Sequence, residues 1–168
     1  ALIALDMGNY TVPDNANWTR EKLLDVLLDH AYGTDNFGID MVGAIMYAIA
    51  PYQNDAVYGE RVKAKLDEGL AIILGEQSAP NVIPMKDDLM FASAGTTNSE
   101  AAGWVIMALC SMGIDPQTDP RFVDGNGNTV ISQYMTYADE DGFAHTATVR
   151  NNAIATYQAG YVMQWYLK

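Results

Sequence analysis

Hydrophobic and polar positions repeat along the chain with helical spacing, and they distinguish two kinds of helix. The helix predicted from Arg20 to about Ala31 is amphipathic, with charged residues on one face and leucines on the other. The helix predicted between Asp55 and Gly75 has the same two-faced pattern, and the short helix from Thr129 to about Ala138 is also mixed. These three segments are typical of helices with one face in solvent.

Between the amphipathic helices lie segments that are apolar on nearly every side. They are Met41–Ala50, Ala101–Met112 and Ala153–Leu167 in a last helix predicted to reach the C-terminus, and the opening segment Ala1–Leu5 is of the same kind. A helix that is apolar all round must be covered all round, so the alternation predicts inner helices wrapped by amphipathic outer ones. No run has the period-two pattern of a strand. We therefore predict an all-α fold of about seven helices, alternating between inner and outer positions as in half of an α/α toroid.

Residues of the type that caps helix N-termini precede the predicted helices. Thr19 and Thr129 stand before outer helices. Asp40, Asn98 and the pair Asn151-Asn152 stand before inner helices. The caps reinforce the helix boundaries that the hydrophobic pattern indicates.

Three parts of the sequence carry a resemblance to a known family: Asn98–Pro116 with the following Thr118–Phe122, Asp141–His145 with Asn151-Asn152 and the aromatic helix after it, and Ala4–Tyr10. They resemble repeats of prenyltransferase/squalene-cyclase-like α/α toroids in Gram-positive bacterial surface proteins, an architecture similar to that of transcobalamin and intrinsic factor. The resemblance implies an extracellular or cell-surface location and a single all-α domain over residues 1–168. The opening in mid-helix leads us to expect a fragment of a larger toroid or of a multidomain surface protein. Cobalamin is the ligand that the resemblance brings forward, and no cofactor is expected.

Composition narrows the function classes. The chain has 21 acidic and 9 basic residues and a formal net charge of -12, which argues against nucleic acid as a partner. The longest apolar run, Ala101–Ile114, is too short to span a bilayer. Half of the residues are hydrophobic (49%), enough to build a core, and the single cysteine, Cys110, excludes an internal disulfide.

Motifs for catalysis or metal binding are incomplete. Cys110 has no acidic neighbour and the chain has only two histidines, so no zinc ligand set is expected. Triterpene cyclases resemble one another in an Asp-x-Asp-Asp motif that supplies the catalytic acid. Asp139–Gly142 resembles this motif but has glycine in place of its last acid. Asp124–Asn128 resembles the start of a calcium loop, but Met135 occupies the position where a bidentate carboxylate is required. We predict neither catalytic residues nor a metal site.

A binding site is expected where the inner helices begin. In a toroid these N-termini gather around one mouth of the central funnel, and their amides and dipoles make that rim polar. The candidate ligand-binding residues are rim and funnel-wall side chains: Phe37, Asp40, Asn98, Glu100, Trp104, Phe143, His145, Asn152 and Tyr157. The same residues also fit a simpler role as helix caps and core aromatics.

Three functions remain open on the sequence. The first is a non-catalytic binding domain for a small molecule, glycan or peptide. The second is an isoprenoid cyclase or transferase-like enzyme, and the third is a structural spacer or adhesion scaffold. If the inner helices are left open to solvent, a homodimer is expected to cover them.

Overall fold

The structure is a computed structural model that describes residues 1–13 and 15–167, and it is mostly helical. The described residues form seven α-helices: α1 (Leu2–Met7), α2 (Arg20–Asp29), α3 (Ile39–Ile49), α4 (Gly59–Ile73), α5 (Ser99–Ser111), α6 (Val130–Tyr134) and α7 (Ala153–Tyr166). Three short 3₁₀ turns lie among the described residues, at Ala50–Tyr52, Pro120–Phe122 and Met135–Tyr137. The helices agree with the predicted ones within a few residues at most ends. The predicted continuation of the last helix through Lys168 lies outside the described residues.

Capping explains most of the helix starts. The Thr19 hydroxyl accepts the Lys22 amide at 3.4 Å, and Thr129 forms a reciprocal capping box with Ser132. The prediction that Asp40 caps the third helix is wrong. That helix begins at Ile39 behind Gly38, whose positive φ of 57° suits a residue without a side chain, and Asp40 falls in the first turn.

Helix α5 lies at the centre of the packing. It contacts α3 on one side and α7 on the other, while α6 packs against it from a third direction. Helices α2 and α4 contact α3 and each other. The continuous core consists of side chains that are nearly inaccessible to solvent, among them Ile39, Met46, Ile73, Phe91, Val105, Ile106, Leu109, Phe122 and Val162. Burial of the apolar faces is the main force that holds these helices together.

Polar contacts join the two amphipathic helices α2 and α4. Arg61 of α4 donates to Asp25 at 2.8 Å and to Asp29 at 2.9 Å, both on α2. Lys65 on the inner side of α4 is buried, lies 3.9 Å from the centroid of the Tyr32 ring and pairs with Glu68 at 2.9 Å. The exposed pairs add little stability, but they orient α4 against α2.

Two short β-ladders precede α5 and α7, although no strand was predicted. Strands β1 (Ala92–Ser93) and β2 (Thr96–Thr97) pair antiparallel, as do β3 (Ala138–Asp139) and β4 (Gly142–Phe143). Each strand has two residues, too few to produce a visible period-two pattern. The second ladder leads the chain back to α5, where the Ser99 amide donates to the His145 carbonyl at 3.0 Å.

The prediction that the apolar helices are covered on every side is wrong for α7. Ile154 is 71% exposed and Tyr157 is 67% exposed, and on α1 the side chain of Met7 is 57% exposed. These side chains face a groove instead of a packed neighbour. In the described part of the chain, every helix is too short or too polar to cross a bilayer.

Candidate ligand-binding groove

An open apolar groove of about 530 Å³ lies between helices α1, α3, α5 and α7. Its walls come mainly from apolar and aromatic side chains: Ala1, Ile3, Ala4 and Met7 of the N-terminal segment, Tyr47 of α3, Glu100, Trp104 and Met107 of α5, and Ile154, Tyr157, Gln158 and Tyr161 of α7. Its volume is in the range of sites for small organic ligands, and such sites are mostly apolar with a few polar groups.

Aromatic rings form two pairs on the groove walls. The rings of Tyr47 and Trp104 are 6.3 Å apart between centroids and tilted by 53°. The rings of Tyr157 and Tyr161 are 5.0 Å apart and nearly perpendicular, and their hydroxyls are 2.8 Å from one another. That hydrogen bond raises the pKa of Tyr157 above its ordinary value. The Tyr157 phenol is therefore neutral near pH 7, and the two rings present apolar surface with a polar edge.

Glu100 is the polar anchor of the groove. Its Oε2 atom lies 2.7 Å from Nδ1 of His145 and accepts from the Ser99 hydroxyl at 3.1 Å. A carboxylate only accepts, so Nδ1 of His145 carries the hydrogen in this contact. Glu100 is in the first turn of α5, where the positive end of the helix dipole favours a negative charge. Its side chain is 17% exposed, against 39% for His145.

Asp40 is a half-buried carboxyl next to this pair. Burial raises its pKa to about 6, the Ser93 hydroxyl opposes the rise, and the negative charge of Glu100 adds to it. Its Oδ1 atom is inaccessible and has no hydrogen-bond partner among the described residues. Asp40, Glu100 and His145 therefore form one electrostatically coupled cluster at the start of α3 and α5.

The structure brings three of the nine predicted site residues to the groove and links two more to one of them. Glu100, Trp104 and Tyr157 line it, His145 forms a hydrogen bond with Glu100, and Asp40 interacts with Glu100 electrostatically. Their convergence comes from the packing of α3, α5 and α7 and from the ladder that carries His145 to the start of α5.

The other four predicted residues do not line the groove. The side-chain oxygen of Asn98 accepts the Ala101 amide at 2.8 Å, and that of Asn152 accepts two amides of α7 at 3.0 Å. Both are helix caps. Phe143 packs on Tyr134 at 5.1 Å between centroids, and Phe37 stands 60% exposed in the loop before α3.

Sequence reasoning missed several lining residues, chiefly Tyr47, Met107 and Tyr161. A signal for two of them was present, because Trp104–Met107 and Tyr157–Tyr161 are spaced three and four residues apart, as side chains on one helix face are. Tyr47 lies on a third helix, and no spacing along the chain relates it to the others.

A second cavity extends the groove towards the other end of α7. It has a volume of about 420 Å³ and shares Ile3, Met7 and Tyr47 with the first. Its polar lining residues include Gln164 and the charged Asp6, which accepts from Arg20 at 2.9 Å and from the Tyr52 hydroxyl at 2.8 Å. The Asp6 carboxylate is therefore already paired within the protein.

The other motifs have structural roles. Asp139 pairs with Arg150 at 2.6 Å, and the Asp124 carboxylate accepts the amides of Asn126 and Asn128 in a turn. Burial raises the pKa of the Cys110 thiol to about 11, so it is a poor nucleophile. Among the described residues there is no group of three or more His, Cys, Asp or Glu side chains placed to hold a metal ion.

Comparisons with protein-family models, curated proteins and solved structures found no match to the chain.

Proposed function

We propose that this chain is a non-catalytic binding domain that holds a small molecule in the groove between α1, α3, α5 and α7. The observation that carries the proposal is an aromatic wall left open to solvent. Tyr157 and Ile154 are more than half exposed, although they belong to a helix whose apolar character calls for cover. Exposed rings beside one anchored carboxylate are typical of a ligand site. Without a ligand to cover them, the contact of these rings with water is unfavourable in free energy.

The proposal includes the finer architecture that the sequence predicts. The row of contacts from α3 through α5 to α7, with α2, α4 and α6 packed against it, supports a partial α/α toroid whose inner face is the groove. The location on the surface of a Gram-positive bacterium rests on the resemblance of the three sequence segments. Cobalamin enters the test below as one ligand of the panel.

Asp40 favours an enzyme as the second candidate. A carboxyl whose pKa is raised to about 6, and which interacts electrostatically with Glu100 of the groove wall, has the property required of a general acid. An isoprenoid cyclase or transferase would place its substrate against this group. A spacer or adhesion scaffold, in contrast, does not require an exposed aromatic wall.

The first experiment is a thermal-shift panel with corrinoids, isoprenoid phosphates and cell-wall glycans. A ligand present at a hundredfold over its Kd adds about 2.7 kcal/mol of stability, a rise in Tm of about 5 to 10 °C for a domain of this size. We expect one class to raise Tm. A shift confined to isoprenoid phosphates, followed by turnover that Asp40→Asn abolishes, would support the enzyme instead.

A groove-filling variant locates the binding. Ala4 is an exposed residue of α1 on the groove wall, and Ala64 is an exposed residue of α4 outside it. We expect Ala4→Phe to abolish the Tm rise and Ala64→Phe to preserve it. A well-folded protein that no class of ligand stabilises would contradict the binding function, and a dimer by light scattering that Ala4→Phe dissociates would identify a second copy as the occupant.

A further inference from the structure

The charge of the groove indicates which ligands it accepts. Of the described residues that line it, Glu100 is the one with a charged side chain, and lysine and arginine are missing from the set. Asp40 is a second carboxyl that interacts electrostatically with Glu100. The whole chain carries a formal net charge of -12, so the surrounding field is also negative.

The Glu100 carboxylate is held in place before any ligand arrives. His145 donates to its Oε2 atom, and the Gln158 amide donates to the Glu100 backbone carbonyl at 3.3 Å. The Ser99 hydroxyl lies 3.1 Å from the same Oε2 atom and shares its hydrogen between that atom and the Ala144 carbonyl, 2.7 Å away. The His145 ring therefore orients the Glu100 carboxylate through the hydrogen bond from its Nδ1 atom. A preorganised carboxylate loses little entropy when it binds a partner, and this increases the affinity for a positive group.

The aromatic rings favour the same kind of partner. Ring faces carry negative electrostatic potential and attract ammonium groups, and four rings (Tyr47, Trp104, Tyr157 and Tyr161) line this groove. Tyr157 and Tyr161 stand on α7 one turn apart, close to Gln158, which contacts the Glu100 backbone. A cation at this end therefore meets both a carboxylate and aromatic rings.

We propose that the ligand is an amphipathic cation, with an apolar body in the groove and an ammonium head against Glu100. This inference rests on the proposed binding function and specifies its substrate class. Anionic ligands are disfavoured, because their head group would meet the Glu100 carboxylate on a wall whose described residues include no lysine or arginine. Neutral apolar ligands fill the groove but offer no positive charge to the Glu100 carboxylate.

A matched trio of probes tests the head group separately from the groove. The probes are 4-phenylbutylamine, 4-phenylbutan-1-ol and 4-phenylbutyrate, which share one apolar body and differ in charge. Binding is followed by NMR titration of the tryptophan indole N–H signals at neutral pH. We expect the amine to bind about tenfold more tightly than the alcohol and the acid to bind most weakly.

Variants assign the preference to Glu100. We expect Glu100→Gln to bring the amine down to the affinity of the alcohol while leaving the alcohol unchanged. Glu60→Gln removes one charge from the exposed face of α4 and should change neither probe. Gln158→Lys places a positive charge on the groove wall and should reverse the order of amine and acid, and it serves where Glu100→Gln fails to fold. In about 0.5 M salt the preference should shrink, as expected for a partly exposed charge pair.

The outcomes separate the head group from the groove. If the alcohol binds as tightly as the amine, or the acid binds more tightly, the cationic head is overturned while the binding groove stands. If Glu60→Gln lowers the amine affinity as much as Glu100→Gln, the preference comes from the net charge and the assignment to Glu100 is overturned. If none of the three probes binds to the folded protein, the proposed function fails together with this inference.

Discussion

Gly43 of α3 lies directly against the backbone of Trp104 on α5. A Cβ atom at position 43 would stand 2.8 Å from the Trp104 carbonyl carbon, closer than such atoms approach. The missing side chain lets the two helices pack closely, and Trp104 and Tyr47 then face each other across their contact at 6.3 Å between ring centroids. One glycine therefore determines the spacing of two groove walls.

Substitution of this glycine should destabilise the protein. Gly43→Ala gains about 1 kcal/mol in helix propensity but overpacks the α3–α5 contact, which costs about 1 to 3 kcal/mol or more against rigid backbone. We expect a net loss in the free energy of unfolding, measured by urea denaturation. The matched control is Gly160→Ala on α7, where no atom lies within 4 Å of the added Cβ and a gain of about 0.5 to 1 kcal/mol is expected. Equal gains at both positions would contradict the close contact.

Asp40 should make stability depend on pH. Its pKa of about 6 in the folded protein lies above its ordinary value of 3.8, so the folded state binds more protons than the unfolded state between these two values. The free energy of unfolding contributed by Asp40 therefore falls as pH rises from about 4 to about 6. Asp40→Asn removes this titration. Relative to wild type, the variant should gain about 1 to 2 kcal/mol between pH 4 and pH 7, after allowance for screening at this half-buried group.

Urea denaturation at several pH values measures this difference. Asp67→Asn, an exposed substitution on α4, provides the control, and we expect its stability to run parallel to that of wild type across the range. A parallel course for Asp40→Asn as well would show that the Asp40 carboxyl is not penalised by burial.

Asn152 should behave as a helix cap and not as a ligand contact. Its Oδ1 atom accepts the Ile154 and Ala155 amides at 3.0 Å each. Asn152→Ala should cost about 1 kcal/mol of stability, while Asn152→Ser, which keeps a capping oxygen, should stay within a few tenths. Probe affinity in the groove should change less than twofold in both variants. A loss of binding with stability intact would assign Asn152 to the ligand site after all.

The helices themselves were predictable because their signals are local. Apolar spacing and the caps Thr19, Asn98 and Thr129 identify the elements within a few residues. The short ladders escaped prediction because two residues do not make a pattern. Asp40 was mistaken for a cap because Gly38, which lacks a capping side chain, starts the helix through its positive φ instead.

The candidate site was predictable only in part. The polar starts of α5 and α7 and the aromatic Trp104 and Tyr157 stood out in the sequence, but Asn98, Phe143 and Asn152 stood out equally. A capping asparagine and a ligand-binding asparagine look the same in a sequence. The difference depends on whether the side-chain oxygen is already occupied by helix amides, and only the hydrogen bonds of the fold reveal it.

By itself, the sequence determined the helical class, the positions of the helices, the alternation of amphipathic and apolar segments, and the acidic character of the surface. These properties depend on neighbours a few residues apart and on composition. Only the tertiary structure decided that Tyr47, Trp104 and Tyr157 line one groove, that His145 orients Glu100 across 45 residues of chain, and that one face of α7 remains open. Those relations come from how helices distant in the sequence pack, and packing depends on the shapes of facing side chains, which no periodicity encodes.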